Sequence, residues 1–232
     1  EMIFNGVKID DYVKVEEIRK GFLPPVSSTF KEIPGRPGGK YIQNQLGNKV
    51  IEVDIRLIEA GKEELQRKVR SLAEMLYTEE PKKLDTGEPG KYDMAILDGE
   101  VNFETFLRTG KAILPFLCAP LSYGDTKYLE IGGELRNAGT YATTGIINVA
   151  VEESDFLEVT LENTKEKIYI KHNFADGDEV EINLDEETVY KNGLSISKDV
   201  YLESDFFMIP KGEFEITLSS GTGTAEFTER WL

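Results

Sequence analysis

Lys49-Val50-Ile51-Glu52-Val53-Asp54-Ile55-Arg56-Leu57-Ile58 alternates in character: Val50, Ile51, Val53, Ile55 and Leu57 are apolar, with Glu52, Asp54 and Arg56 between them. Successive strand side chains point to opposite faces, so this stretch reads as a half-buried β-strand. The period then changes. Over residues 61–78, Leu65, Val69, Leu72, Ala73 and Leu76 recur at offsets of three and four, with Met75 beside them. That spacing places them on one stripe of a helix. Glu63 and Glu64 lie near its start, where the helix dipole favours negative charge, and Pro81 follows its end. Arg67, Lys68 and Arg70 fall on the opposite face. No other stretch of the chain carries a convincing helical period, so the fold is expected to be mainly β.

On the N-terminal side, Ile3, Phe4, Val7 and Ile9 flank Asn5-Gly6, a tight-turn pair. Tyr12 to Ile18 and Ser27 to Ile33 read as strands, separated by Leu23-Pro24-Pro25, which breaks any regular element. Pro34-Gly35-Arg36-Pro37-Gly38-Gly39-Lys40 is a loop by composition. Beyond the helix, Lys91 to Ala95 and Val101 to Arg108 read as short strands joined through Asp98-Gly99. Lys111 to Cys118 is an apolar run expected to be buried on both faces. Ala119-Pro120 and Tyr123-Gly124 punctuate it, placing a domain boundary between residues 1–124 and 125–232. The second part carries short β segments at sandwich-like spacing: 127–131, 146–151, 157–161, 167–171, 179–184, 188–191, 206–209, 213–218 and 224–231. Turn pairs such as Gly132-Gly133, Asp176-Gly177 and Asn192-Gly193 divide them.

Composition narrows the function classes. The 232 residues carry 27 Lys+Arg, 43 Asp+Glu and a net charge of -16, with 40% hydrophobic residues. A core can form, but duplex nucleic acid and anionic membranes are poor partners for so acidic a chain. The charge is uneven: residues 1–124 hold 18 basic and 20 acidic side chains, net -2, whereas residues 125–232 hold 9 and 23, net -14. With Cys118 and His172 the single members of their kinds, neither an intrachain disulfide nor a Cys-based or two-His metal site can form. No apolar stretch is long enough to span a membrane as a helix. Met2 reads as the natural start, without a signal pattern, and folding in a reducing cytoplasm is expected.

Each candidate reactive feature has a plainer structural explanation. Cys118 ends an apolar run, which suits a buried thiol better than a nucleophile. His172 lies 54 residues further on and reads as a strand-end histidine. Asp176-Gly177-Asp178-Glu179 opens like a calcium loop, but Val180 and Glu181 stand where a ligand and a glycine are needed. Asp185-Glu186-Glu187 reads as a solvated turn. In Gly35-Arg36-Pro37-Gly38-Gly39-Lys40, Lys40 falls one place early for a phosphate loop and Tyr41 follows it. The residues Gly35, Arg36, Gly38, Gly39 and Lys40 are better read as a loop that contacts a neighbouring subunit. Trp231 is expected to pack a final strand. No catalytic residue, metal or cofactor is expected.

The order of features resembles the distal tail protein family of long-tailed, non-contractile phages. The opening Met2-Ile3-Phe4-Asn5-Gly6-Val7-Lys8-Ile9, the glycine-rich loop, the 50–58 strand and the single helix follow that family's sequence of elements. So do Phe116-Leu117-Cys118-Ala119-Pro120, Asn137-Ala138-Gly139-Thr140, Asp176-Gly177-Asp178 to Asn183, and Ser204-Asp205-Phe206-Phe207 to Gly212. The resemblance spans nearly the whole chain. It implies an N-terminal split β-barrel with one helix and a C-terminal galectin-like β-sandwich. It further implies a non-catalytic virion protein, often of prophage origin, assembled in the bacterial cytoplasm. Its N-terminal domains would close into a homohexameric ring at the tail tip. That ring would join the tail tube, the tape-measure protein and the tip or receptor-binding proteins, with DNA only passing through its lumen. The alternative is a carbohydrate-binding module for host cell-wall glycans, using Tyr141, Tyr169, Tyr190, Tyr201 or Trp231; a glycoside hydrolase is a more distant third.

Overall fold

The computed structural model describes residues 1–35, 37–57, 62–99, 101, 106, 110–133 and 135–232, with the side chains of 62, 63 and 65 excepted. Arg36, Ile58, Gly61, most of the strand expected over 101–108, and the side chains of Glu63 and Leu65 therefore lie outside the described residues. The chain divides into two compact units, Glu1–Tyr123 together with Leu232, and Gly124–Trp231.

The first unit contains β1 (Ile3–Phe4), β2 (Val7–Lys8), β3 (Val13–Lys20), β4 (Val26–Glu32), β5 (Gly39–Leu46), β6 (Lys49–Leu57), α1 (Lys62–Leu76), β7 (Lys82–Asp85), β8 (Asp93–Leu97) and β9 (Lys111–Cys118). Seven of these strands form one sheet in the order β2-β1-β7-β8-β9-β6-β3. Alternation does its expected work in β6: Ile51, Val53 and Ile55 are buried, while Val50 and Glu52 share the other face and are exposed. Asp54, on that outer face, accepts from Arg19 of β3. Helix α1 lays Val69, Leu72 and Leu76 into the same core as Phe4, Leu84, Leu114 and Phe116. Ala73, expected on that stripe, is exposed instead. Its single methyl sits at the margin of the apolar arc, where burial gains least.

β9 corrects one expectation. It is hydrogen-bonded on both edges, to β6 and β8, but only one face is buried. Leu114, Phe116 and Cys118 point to the core and Ile113 is exposed. Two-sided burial belongs to strands covered on both faces, as in parallel α/β sheets; this sheet is antiparallel and its outer face carries Ile113 in the open.

β4 and β5 stand apart from the sheet as a two-stranded antiparallel ribbon, paired from Val26↔Leu46 to Glu32↔Gly39 with a bulge at Thr29/Phe30. Gly39 and Lys40, expected in a loop, are the first residues of β5, because they pair with Glu32 and Lys31. The loop at the tip is correspondingly shorter.

The second unit contains β10 (Ser122–Glu130, which starts just before the boundary), β11 (Leu135–Asn137), β12 (Gly145–Val151), β13 (Leu157–Leu161), β14 (Glu166–Ile170), β15 (Asp178–Asn183), β16 (Thr188–Lys191), β17 (Leu194–Ser195), β18 (Gly212–Phe214), β19 (Ile216–Leu218) and β20 (Thr222–Trp231). A six-stranded sheet, β10-β20-β12-β15-β16-β17, and a three-stranded sheet, β14-β13-β19, bury their inner residues in one cluster, which makes the unit a β-sandwich. Ile147, Val149, Val180 and Ile182 come from one sheet and Val159, Leu161, Ile168 and Ile170 from the other. Phe206 to Ile209 is not a strand; it carries one bridge, Thr143↔Ile209. The stretch 213–218 splits at Glu215 into β18 and β19, which join different sheets.

Candidate assembly surface

The reactive candidates resolve into structural roles. Cys118 is buried, and burial, followed by the nearby Asp93 carboxylate, pushes its thiol up to about 12. A thiol so protonated is no nucleophile at neutral pH. Its neighbourhood also holds a polar cluster that the sequence does not announce. Lys49 Nζ lies 2.7 Å from buried Asp93 Oδ1 and 2.8 Å from Ser122 Oγ, and Ser122 donates to Asp93 at 2.7 Å. All three groups are engaged with one another, so the cluster offers neither a free base nor an activated hydroxyl.

In the second unit, His172 Nδ1 sits 2.8 Å from Asp199 Oδ2 and its ring leans on Phe174. It is the partly packed strand-end histidine its position suggests. Asp178 does not open a metal loop. It pairs with Lys191 at 2.7 Å, and accepts from the Ala175 amide and the Asn192 side chain. These partners, Lys191 first, hold its carboxyl down to about 2. Among the described residues no cluster of His, Cys, Asp and Glu could hold a metal ion. Trp231 lies in β20, its indole nitrogen against the Gly124 backbone.

The feature that stands out in the first unit is the β4–β5 ribbon. Every residue of β4 and all but the last of β5 are exposed, on both faces. Yet the ribbon and its approach carry large apolar side chains: Phe22 is 96% exposed, Phe30 59% and Tyr41 51%, with Val26 and Ile42 exposed as well. Phe30 and Tyr41 touch edge to face, 5.8 Å between centroids, across the ribbon. At its tip Gly35 and Gly38 adopt positive φ, 80° and 77°, so glycine is the residue that turns the chain there without strain. Of the expected contact loop, Gly35 and Gly38 form the tip, Gly39 and Lys40 begin β5, and Arg36 lies outside the described residues.

Comparison with known proteins places these features. A family described as "Phage tail protein RIFT-related domain" matches residues 10–118, and one described as "Siphovirus-type tail component, C-terminal domain" matches residues 138–231. The distal tail protein of Bacillus phage SPP1 is 24% identical over 247 aligned positions, covering 100% of this chain and 95% of its own length. The chain belongs to the distal tail protein family of siphophages. The crystal structure of SPP1 Dit, described as a paradigm of the hub adsorption apparatus in phages infecting Gram-positive bacteria, superposes with a TM-score of 0.85. That match is at 20% identity and covers 100% of this chain and 98% of the other, so the fold is shared along its whole length. As a distal tail protein, this chain is a structural, β-rich component of a phage tail.

In this family member the tyrosines of the second unit do not form one site. Tyr141 and Tyr190 sit on separate segments, the latter in β16 of the six-stranded sheet. Tyr169 and Tyr201 do meet, with ring centroids 5.7 Å apart, and Phe156, which the sequence did not single out, completes the group at 5.4 Å from Tyr169. The hydropathy pattern marks Tyr169 as outward-facing, but only the path of residues 200–205 along β14 reveals its partner.

Proposed function

We propose that this distal tail protein is a non-catalytic hub subunit whose first unit closes into a homohexameric ring at the tail tip. The ring connects the tail tube and the tape-measure protein to the tail-tip or receptor-binding apparatus and leaves a lumen through which DNA passes. The exposed β4–β5 ribbon carries this reading. An isolated two-stranded ribbon is marginally stable in water, and exposed apolar surface of this kind marks a protein contact. Seating the ribbon on a neighbouring copy satisfies both requirements. Charge agrees: residues 1–124 carry net -2, so copies of this part can approach without strong mutual repulsion, while residues 125–232 carry net -14. Location in the virion and assembly in the bacterial cytoplasm follow from this role. The test is genetic and structural. Phage carrying Phe30→Ser with Tyr41→Ser should produce tails lacking an ordered tip by electron microscopy. Normal, infectious tails from the double variant would refute the proposed use of the ribbon.

A further inference from the structure

The outer face of the three-stranded sheet in the second unit carries a fixed aromatic platform. Ile168 and Ile170 are buried, so the alternation of β14 sends Tyr169 outward. Phe156 lies nearly parallel to the Tyr169 ring, at 21° and 5.4 Å, and Tyr201 meets it at 85° and 5.7 Å. Phe156 is 39% and Tyr201 54% exposed. The segments that carry them are tied down. The Tyr201 amide donates to the Tyr169 carbonyl at 2.9 Å, and Ser204 Oγ accepts from the Tyr169 amide at 3.0 Å. Ser154 Oγ donates to the Phe156 carbonyl at 2.8 Å. Beside the rings, Glu158 stands opposite Tyr169 in register and accepts from Lys167 at 3.1 Å.

We propose that Phe156, Tyr169 and Tyr201 form a binding platform for a neutral pyranose glycan. A pyranose ring has one face rich in C–H groups, which stacks on an aromatic ring, and a rim of hydroxyls. The exposed parts of the Phe156 and Tyr201 rings supply the first contact; the Tyr hydroxyls and the Glu158–Lys167 pair, with acceptors and donors side by side, supply the second. Size separates this occupant from a protein. Phe156 is 39% and Tyr201 54% exposed and Tyr169 less, so rings that could bury about 150–250 Å² each present only about 300 Å² together, far less than the roughly 800 Å² that a stable protein contact buries per partner. Charge excludes anionic polymers, because the platform belongs to the part of the chain with net -14. Fixed loops reduce the ordering cost of binding. The proposal rests on the second unit alone and is independent of the ring.

The experiment is titration calorimetry of the full chain with four probes: maltotetraose, cellotetraose, β-galactotetraose and tetra-N-acetylchitotetraose. At least one should bind saturably, with a dissociation constant in the millimolar range or tighter. The Tyr201→Ala and Phe156→Ala variants, each checked for an unchanged melting temperature, should weaken that binding at least tenfold. Tyr190→Ala, on the other sheet, should leave it unaltered. Silence toward all four probes overturns the proposal, as does binding that survives both platform substitutions. If the platform variants lose a place in assembled tails while no sugar binds, the patch is a protein contact instead.

Discussion

β5 and β6 follow one another in the chain, separated by Gly47 and Asn48, and have opposite surroundings. β6 is paired on both edges, with β3 and β9, and buries one face. Among the described residues β5 pairs with β4 alone, and it buries neither face. Both contain large apolar residues. What distinguishes them is a layer to pack against: β6 has the core built with α1, and β5 has none among the described residues of its unit. A buried apolar side chain on β6 therefore stabilises the fold, whereas one on the ribbon is left in solvent by its own subunit.

The largest predicted effect breaks that comparison directly. Phe116, on the strand beside β6, is fully buried, and Phe116→Ala should cost about 3–5 kcal/mol in denaturant unfolding. Phe30→Ala, in the exposed ribbon, should change the stability of the isolated chain by less than about 0.5 kcal/mol. Equal costs would mean that the ribbon is packed within its own subunit. Next comes the buried pair at the foot of β6. Lys49→Met leaves Asp93 buried without its cation and should cost about 3–5 kcal/mol, much of it recovered by adding Asp93→Leu. A double variant no better than the single one would show that the pair is not the source of the loss. In the second unit, Gly221 has φ 80°, and an added Cβ would fall 2.0 Å from the Ala150 carbonyl oxygen. Gly221→Ala should therefore destabilise that unit by roughly 1–3 kcal/mol, lowering its melting temperature, and leave the first unit's transition in place.

The smallest effect is on pH, and it compares the units with one another. In the first, Lys20 and then Lys91 hold Glu88 down to about 2, from an ordinary 4.5. In the second, Asp178 is held down to about 2 from 3.8. Both carboxyls are depressed by folding, so their contribution is complete above the unfolded values and is lost as pH falls through about 2. Melting temperature should decline between pH 5 and 2 in both units. Glu88→Gln should flatten the first unit's decline and Asp178→Asn the second's. A decline unchanged by both substitutions would assign acid sensitivity to other carboxylates.

How much of this was legible in the sequence depended on whether a residue's role was local. β6, β13 and β14 were legible because each has a buried face that imposes a period of two over adjacent residues. α1 was legible through its 3.6 period. β5 was not, since Gln43-Asn44-Gln45 and an exposed Tyr41-Ile42 leave no face and hence no period. The 206–209 stretch was apolar enough to suggest a strand, but Phe207 and Ile209 are buried without a ladder to join. Nothing local pairs Lys49 with Asp93 and Ser122, or Phe156 with Tyr169 and Tyr201; sheet register and loop path bring them together. The glycine-rich tip was legible as a turn, while the exposed apolar flanks on which the proposed assembly role rests became apparent only once the burial of β4 and β5 was known.

The claim that the ribbon joins copies of this chain is tested most directly by light-scattering mass measurement over a range of concentrations, on the natural sequence and on Phe30→Ser with Tyr41→Ser. The natural protein should reach the mass of a hexamer at high concentration, and the double variant should remain a monomer with an unchanged melting temperature. A natural protein that stays monomeric throughout, or a double variant that assembles equally well, would contradict the account.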